Sequence, residues 1–152
     1  MSTLTGATRV RPGTRLPIVV PYVLYRDPAA ASQWIIDVLG FREAIRFTVP
    51  EGGPAGHVEL ERNGSVLMLG LAGSRFGETS AITLVFVEDV IAACQRARDH
   101  GGSVVDEPTD QPWGLRQALV ADPEGQRWEL TQHLHDVDPA DWGAVQHGPL
   151  PG

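Results

Sequence analysis

Lysine is missing from this chain of 152 residues, so all 12 of its basic side chains are arginine. That absence removes Schiff-base catalysis and the phosphate-binding lysine of P-loop enzymes. A single cysteine, Cys94, excludes an internal disulfide and any cysteine-based zinc site. No apolar run approaches the roughly 20 residues that a membrane helix needs. The segment MSTLTGATRVRPGTRLP has no apolar stretch of the kind that marks a secretory leader. Its Thr, Gly, Arg and Pro content reads as a loose arm over residues 1–16, and the expected location is the cytoplasm. Basic charge is also scarce. A formal charge of −7 argues against a phosphate-backbone binder, so neither nucleic acid nor membrane is an expected partner. The 42% hydrophobic content is enough for one domain to bury a core without staples.

What is present is one pattern, written twice. The run LPIVVPYVLY reads as a strand, and DPAAASQWIIDVLGF as a helix with Asp27 as its cap, Pro28 in the first turn and Gly40 past its end. Trp34, Ile35, Val38 and Leu39 form its inner stripe. FREAIRFTVP, HVELERN and SVLMLGL follow as short strands, with Asn63-Gly64 as a hairpin turn. The second half repeats this order. AITLVFVED is a strand, and VEDVIAACQRARDHGG is a helix whose stripe is Val90, Ile91, Cys94 and Ala97. SVVDEP, LRQALVAD and RWELTQH are then strands, the last two joined by Asp122-Pro123-Glu124-Gly125. Gly40 to Gly101 and Gly64 to Gly125 are each separated by 61 residues, which implies a duplicated unit. The expected fold is α+β: two tandem βαβββ units, about 18–72 and 80–133, forming a curved mixed eight-stranded sheet with the helices outside. Residues 17–135 make this domain, and the tail, 136–152, has room for a short helix.

The repeat, together with RDPAAASQWIIDVLGF and PWGLRQALVADPEGQRWEL, resembles the vicinal oxygen chelate superfamily of glyoxalases, bleomycin-resistance proteins and extradiol dioxygenases. The tail HDVDPADW resembles the Asp-Val-x-Pro segment of one bacterial branch. The resemblance implies a divalent metal held by two side chains from each unit, one on its first strand and one on its last. Glu129 matches the last-strand position of the second unit, and the period puts Met68 at its counterpart. The first-strand positions fall near Val20 and Ile82. A shift of one residue brings in Val19, Pro21, Ala81 or Thr83, and none of these is a carboxylate or imidazole.

No metal and no cofactor is therefore expected at Glu129, and the chain is expected to bind rather than catalyse. Three roles for Glu129 stay open: an ion pair with Arg116, a polar anchor for a ligand, or a metal-free general base beside Trp128. The alternative is a metal-dependent lyase, isomerase or dioxygenase with a relocated site of His57, Glu59 and Glu129. His133 and His135 share a strand face and read as surface residues.

The resemblance also extends to metal-free, antibiotic-sequestering members, whose grooves are shared between two subunits. Trp113-Gly114-x-Arg116 resembles the aromatic-Gly-x-Arg segment that borders such grooves. The expected cleft is lined by Trp113, Trp128, Met68, Tyr22 and Phe86, with Glu129, Arg116 and His57 as polar groups. Its ligand would be a small drug or metabolite. VPEGGPAGH could flap over it, Phe76 would sit in the hinge between units, and a homodimer would cover exposed sheet edges.

Overall fold

The computed structural model describes residues 7–11, 14–17, 19–48, 53–73, 77 and 80–149. Phe76 and the first residues of the expected flap lie outside them. The chain divides into two compact units, 1–81 and 82–152, and each is a βαβββ unit of an α+β fold.

The first unit begins differently from the loose arm read from its composition. Strands β1 (Ala7–Arg11) and β2 (Thr14–Pro17) pair antiparallel as a hairpin. The repeat then starts with β3 (Tyr22–Tyr25) and α1 (Pro28–Leu39). The Asp27 side chain accepts the Ala30 N–H at 3.1 Å, and Gly40 closes the helix in the left-handed region at φ 73°. Strands β4 (Arg42–Thr48), β5 (Ala55–Arg62) and β6 (Ser65–Leu71) complete a mixed sheet of order β3-β6-β5-β4. Strand β3 runs parallel to β6, and the other pairs are antiparallel. One face of this sheet carries Val58, Leu60, Leu67 and Leu69, all buried with Trp34, Ile35, Val38 and Leu39 of α1. Each such aliphatic side chain contributes about 1.5–3 kcal/mol by leaving water.

The second unit repeats the order with β7 (Ile82–Phe86), α2 (Val90–Asp99), β8 (Ser103–Asp110), β9 (Leu115–Ala121) and β10 (Arg127–His133). Its sheet runs β7-β10-β9-β8. Asp89 caps α2 through the Ile91 and Ala92 N–H groups. The inner stripe is Val90, Ala93, Cys94 and Ala97; Ile91 is exposed, a correction to the reading from periodicity. At the first turn the helix faces its sheet through Val90, which turns Ile91 outward. Burial pushes the Cys94 thiol up, so it stays protonated and unreactive. A short 3-10 turn, α3 (Pro139–Trp142), follows, capped by Asp138. Among the described residues no helix is long and apolar enough to cross a membrane.

The sheets match rung by rung. In the first unit Tyr22, Met68, Glu59 and Ile45 lie side by side across the four strands, followed by Leu24, Gly70, His57 and Phe47. In the second the matching rungs are Leu84, Glu129, Leu119 and Asp106, then Phe86, Thr131, Gln117 and Thr109. Helix α1 has 12 residues and α2 has 10, so the 61-residue period drifts along the unit. The first-strand neighbours of Met68 and Glu129 are Tyr22 and Leu84, each two residues beyond the expected Val20 and Ile82.

Candidate functional site

Strand alternation puts Glu129 on the sheet face away from α2, because its neighbours Trp128 and Leu130 both point into the core. On that face Gln117 of β9 reaches it: Gln117 Nε2 donates to Glu129 Oε1 at 2.5 Å and to Thr131 Oγ1 at 3.2 Å. The other end of the Gln117 amide accepts the Trp113 indole N–H at 2.9 Å. A three-residue polar chain therefore runs from a half-exposed tryptophan to the carboxylate, with every donor facing an acceptor.

Trp113 is held by the turn before β9. Gly114 adopts φ 84°, and a Cβ there would overlap the His135 carbonyl. This close approach lets the chain after β10 cross the turn, where the Gly114 carbonyl accepts the Leu134 and His135 N–H groups at 2.9 and 3.3 Å. The crossing segment continues into α3 and delivers Trp142 to Trp113. Their ring centroids are 5.7 Å apart in an edge-to-face arrangement at 62°. Trp113, Leu115, Val137, Pro139 and Trp142 line a groove of about 490 Å³, a size that admits a drug-sized molecule.

Two expectations change here. Arg116 does not pair with Glu129. Its rung partner is Gln132, which puts it on the opposite face, and its guanidinium binds Asp110 at 2.6 and 3.2 Å. That hydrogen bond holds the Asp110 carboxyl below the usual carboxylate range and raises Arg116 in return. Trp128 does not line an open site; it is 1% exposed, and its indole N–H donates to Asp122 at 3.1 Å. Asp122 also accepts the Glu124 and Gln126 N–H groups, so Trp128 latches the Asp-Pro-Glu-Gly turn to the core. His133 and His135 lie at the surface as their spacing suggested: His133 binds Asp136 at 2.8 Å, and His135 is exposed. Phe86 is exposed on the rung of Gln117.

In the first unit, Tyr22, His57 and Glu59 come together on the face away from α1. The Tyr22 hydroxyl lies 2.7 Å from His57 Nδ1, and His57 Nε2 lies 3.0 Å from Glu59 Oε1. Met68 sits between Tyr22 and Glu59 on their rung.

Neither unit supplies the pair of hard donors that the resemblance implies for a metal. The first offers Tyr22 and Met68 at those positions, the second Leu84 and Glu129, and a thioether or an alkyl group cannot hold a hard or borderline cation. Among the described residues no three His, Cys, Asp or Glu side chains come together in a metal-binding group. The donor set does not fit a divalent metal.

Sequence reasoning missed Gln117, Gly70 and Trp142. The first two carry no motif and emerge only from register. Trp142 had a signal: Asp138-Pro139 repeats the capping grammar of Asp27-Pro28, and each pair is followed by a tryptophan on the resulting turn or helix.

Several known proteins are similar to this chain in sequence, and two of them also in structure. An uncharacterised protein of Mycobacterium bovis is 31% identical over 133 residues, 80% of this chain and 87% of that one. The crystal structure of TioX from Micromonospora sp. ML1 is 36% identical with a TM-score of 0.66, covering 76% of this chain and 97% of TioX. TnmS3, an antibiotic binding protein from Streptomyces sp. CB03234, is 26% identical with a TM-score of 0.57, covering 75% of this chain and 93% of TnmS3. The family model of the Glyoxalase/Bleomycin resistance protein/Dioxygenase superfamily matches residues 18–130, and the chain belongs to that superfamily.

Proposed function

We propose that this chain is a metal-independent binding protein for a flat, amphipathic organic molecule, a drug or a metabolite. The observation that carries this reading is the Trp113–Gln117–Glu129 chain beside the Trp113–Trp142 groove. Two tryptophans offer stacking faces, and the carboxylate is engaged by an amide instead of being arrayed with other anions for a cation. The similarity to TnmS3, an antibiotic binding protein, supports an antibiotic as the ligand; sequestration of a drug, and through it resistance, is the role proposed for this chain.

The alternative is a metal-dependent lyase, isomerase or dioxygenase built on His57, Glu59 and Glu129. The adjacency of His57 and Glu59 favours it. Against it, both imidazole nitrogens of His57 are already engaged, by Tyr22 and by Glu59.

The chain is also proposed to act as a homodimer. Ile82, Leu84 and Phe86 on edge strand β7 are 62%, 46% and 56% exposed, an apolar row that a second copy would cover. Static light scattering of the wild type and of Leu84→Asp tests this, with a dimer expected only for the former.

A thermal-shift panel of planar aromatic antibiotics tests the central reading. At least one compound should raise the melting temperature of the wild type and lose that effect with Trp113→Ala. An enzyme-type result, stabilisation by a divalent ion alone, would count against it.

A further inference from the structure

We propose that residues 134–142 form a strap whose seating on Gly114 completes the groove, so that filling the groove and fastening the strap are one event and Trp142 selects the ligand. This rests on the reading that the chain binds flat organic molecules, and adds that the part held in the groove is an uncharged aromatic ring.

Of the five side chains that line the groove, Trp113 and Leu115 come from β9 and the turn before it. Val137, Pro139 and Trp142 come from the segment after β10. Without that segment, Trp113 and Leu115 are one open wall. None of the lining side chains is charged, and the Trp113 indole N–H is already donated to Gln117. The lining offers alkyl groups and aromatic surface, which match an uncharged ring.

The strap is lightly held. None of its side chains is buried. The Leu134 and His135 N–H groups reach the Gly114 carbonyl, and Asp136 reaches His133 at the surface. Among the described residues, every hydrogen bond of residues 137–144 is internal to them, including the Asp138 cap of α3. A segment with few bonds and little burial opens at a fraction of the cost of unfolding the domain. Opening removes three of the five lining residues. A ligand that binds only the seated form therefore fastens the strap with its own binding free energy.

The seat requires glycine. Gly114 has φ 84°, and an added Cβ would overlap the His135 carbonyl and crowd Val137 Cγ2 at 2.9 Å. Gly125 has the same left-handed backbone, φ 91°, with nothing near its Cβ. Alanine costs backbone strain at both positions, but displaces the strap only at Gly114.

The test titrates the full chain with N-phenyl-1-naphthylamine, an uncharged aromatic probe whose emission rises in apolar surroundings. Wild type should bind it, and Trp142→Ala should bind it about tenfold more weakly, the scale of one aromatic contact. Gly114→Ala should lose at least as much, and Gly125→Ala should bind as wild type does. Hydrogen exchange of the Leu134 and His135 amides in the wild type depends on no variant folding. Probe at about ten times its Kd should slow that exchange about tenfold. Wild-type affinity in Trp142→Ala and Gly114→Ala, or exchange that ignores the probe, overturns the strap and leaves the binding reading standing. Equal weakening by Gly125→Ala and Gly114→Ala overturns it too, because strain alone then accounts for the loss. If the probe does not bind the wild type, the strap and the flat-aromatic binding reading fall together.

Discussion

Gln117 Nε2 lies 2.5 Å from Glu129 Oε1, and this bond gives Glu129 a place in the molecule that no metal is needed to explain. The same amide accepts the Trp113 indole, so the carboxylate and the groove wall share one intermediary. Trp113→Ala should weaken binding of a groove ligand by about 1–3 kcal/mol, the loss of one aromatic contact face. Titration of both proteins with whichever antibiotic stabilises the wild type measures it. An unchanged affinity would place the ligand elsewhere.

Gly70 is the counterpart of Thr131, one rung along from Met68 and Glu129. Gly70→Ala should push the Tyr22 ring away and break its bond to His57, with a stability change of less than about 1 kcal/mol, because a side chain at a solvent-facing edge can swing aside. The His57 ring resonances in a nuclear magnetic resonance spectrum should shift in this variant as they do in Tyr22→Phe. Unchanged resonances would show that the ring does not depend on the glycine.

Asp122 organises its turn through three hydrogen bonds, one from the buried indole of Trp128. Asp122→Ala leaves that indole N–H without its acceptor and should cost about 2–3 kcal/mol, as for a bond to a charged group. Urea denaturation measures this, and a change below half a kcal/mol would assign the turn's stability to its backbone alone.

Acid should weaken the fold through carboxylates held below their ordinary range, Asp110 and Glu43 among them. The hydrogen bond from Arg116 lowers Asp110. Burial pushes Glu43 upward, but hydrogen bonds from Arg46 and Ser32 outweigh it and leave it lowered. A group depressed in the folded state stabilises above its unfolded pKa, about 4 for these side chains, and loses that contribution as pH falls through the folded value. The melting temperature should therefore drop below about pH 4, and less steeply in Glu43→Gln. Parallel profiles would remove Glu43 from the account.

Much of this fold is legible in the sequence because its signals are local. Asp27-Pro28 and Asp89 cap helices where their spacing places them, and Asn63-Gly64 turns a hairpin with both residues at positive φ. The pairing of Met68 with Glu129 across the repeat also follows from spacing. The polar partners do not. Whether Arg116 meets Glu129 or Asp110 depends on which sheet face it occupies, and one residue of register decides that. Trp128 reads as a pocket aromatic in a string of letters, and only the alternation of β10 turns it into the core.

Whether ligand binding needs a metal decides between the binding reading and the metal-dependent one. The direct measurement is the affinity of a stabilising antibiotic, read from quenching of tryptophan fluorescence, in protein treated with EDTA and in the same protein resupplied with Ni²⁺, Fe²⁺ or Mn²⁺. The prediction is one dissociation constant and one melting temperature under all conditions. Binding or stability lost in EDTA and restored by a single divalent ion would contradict it and make Glu129 a ligand.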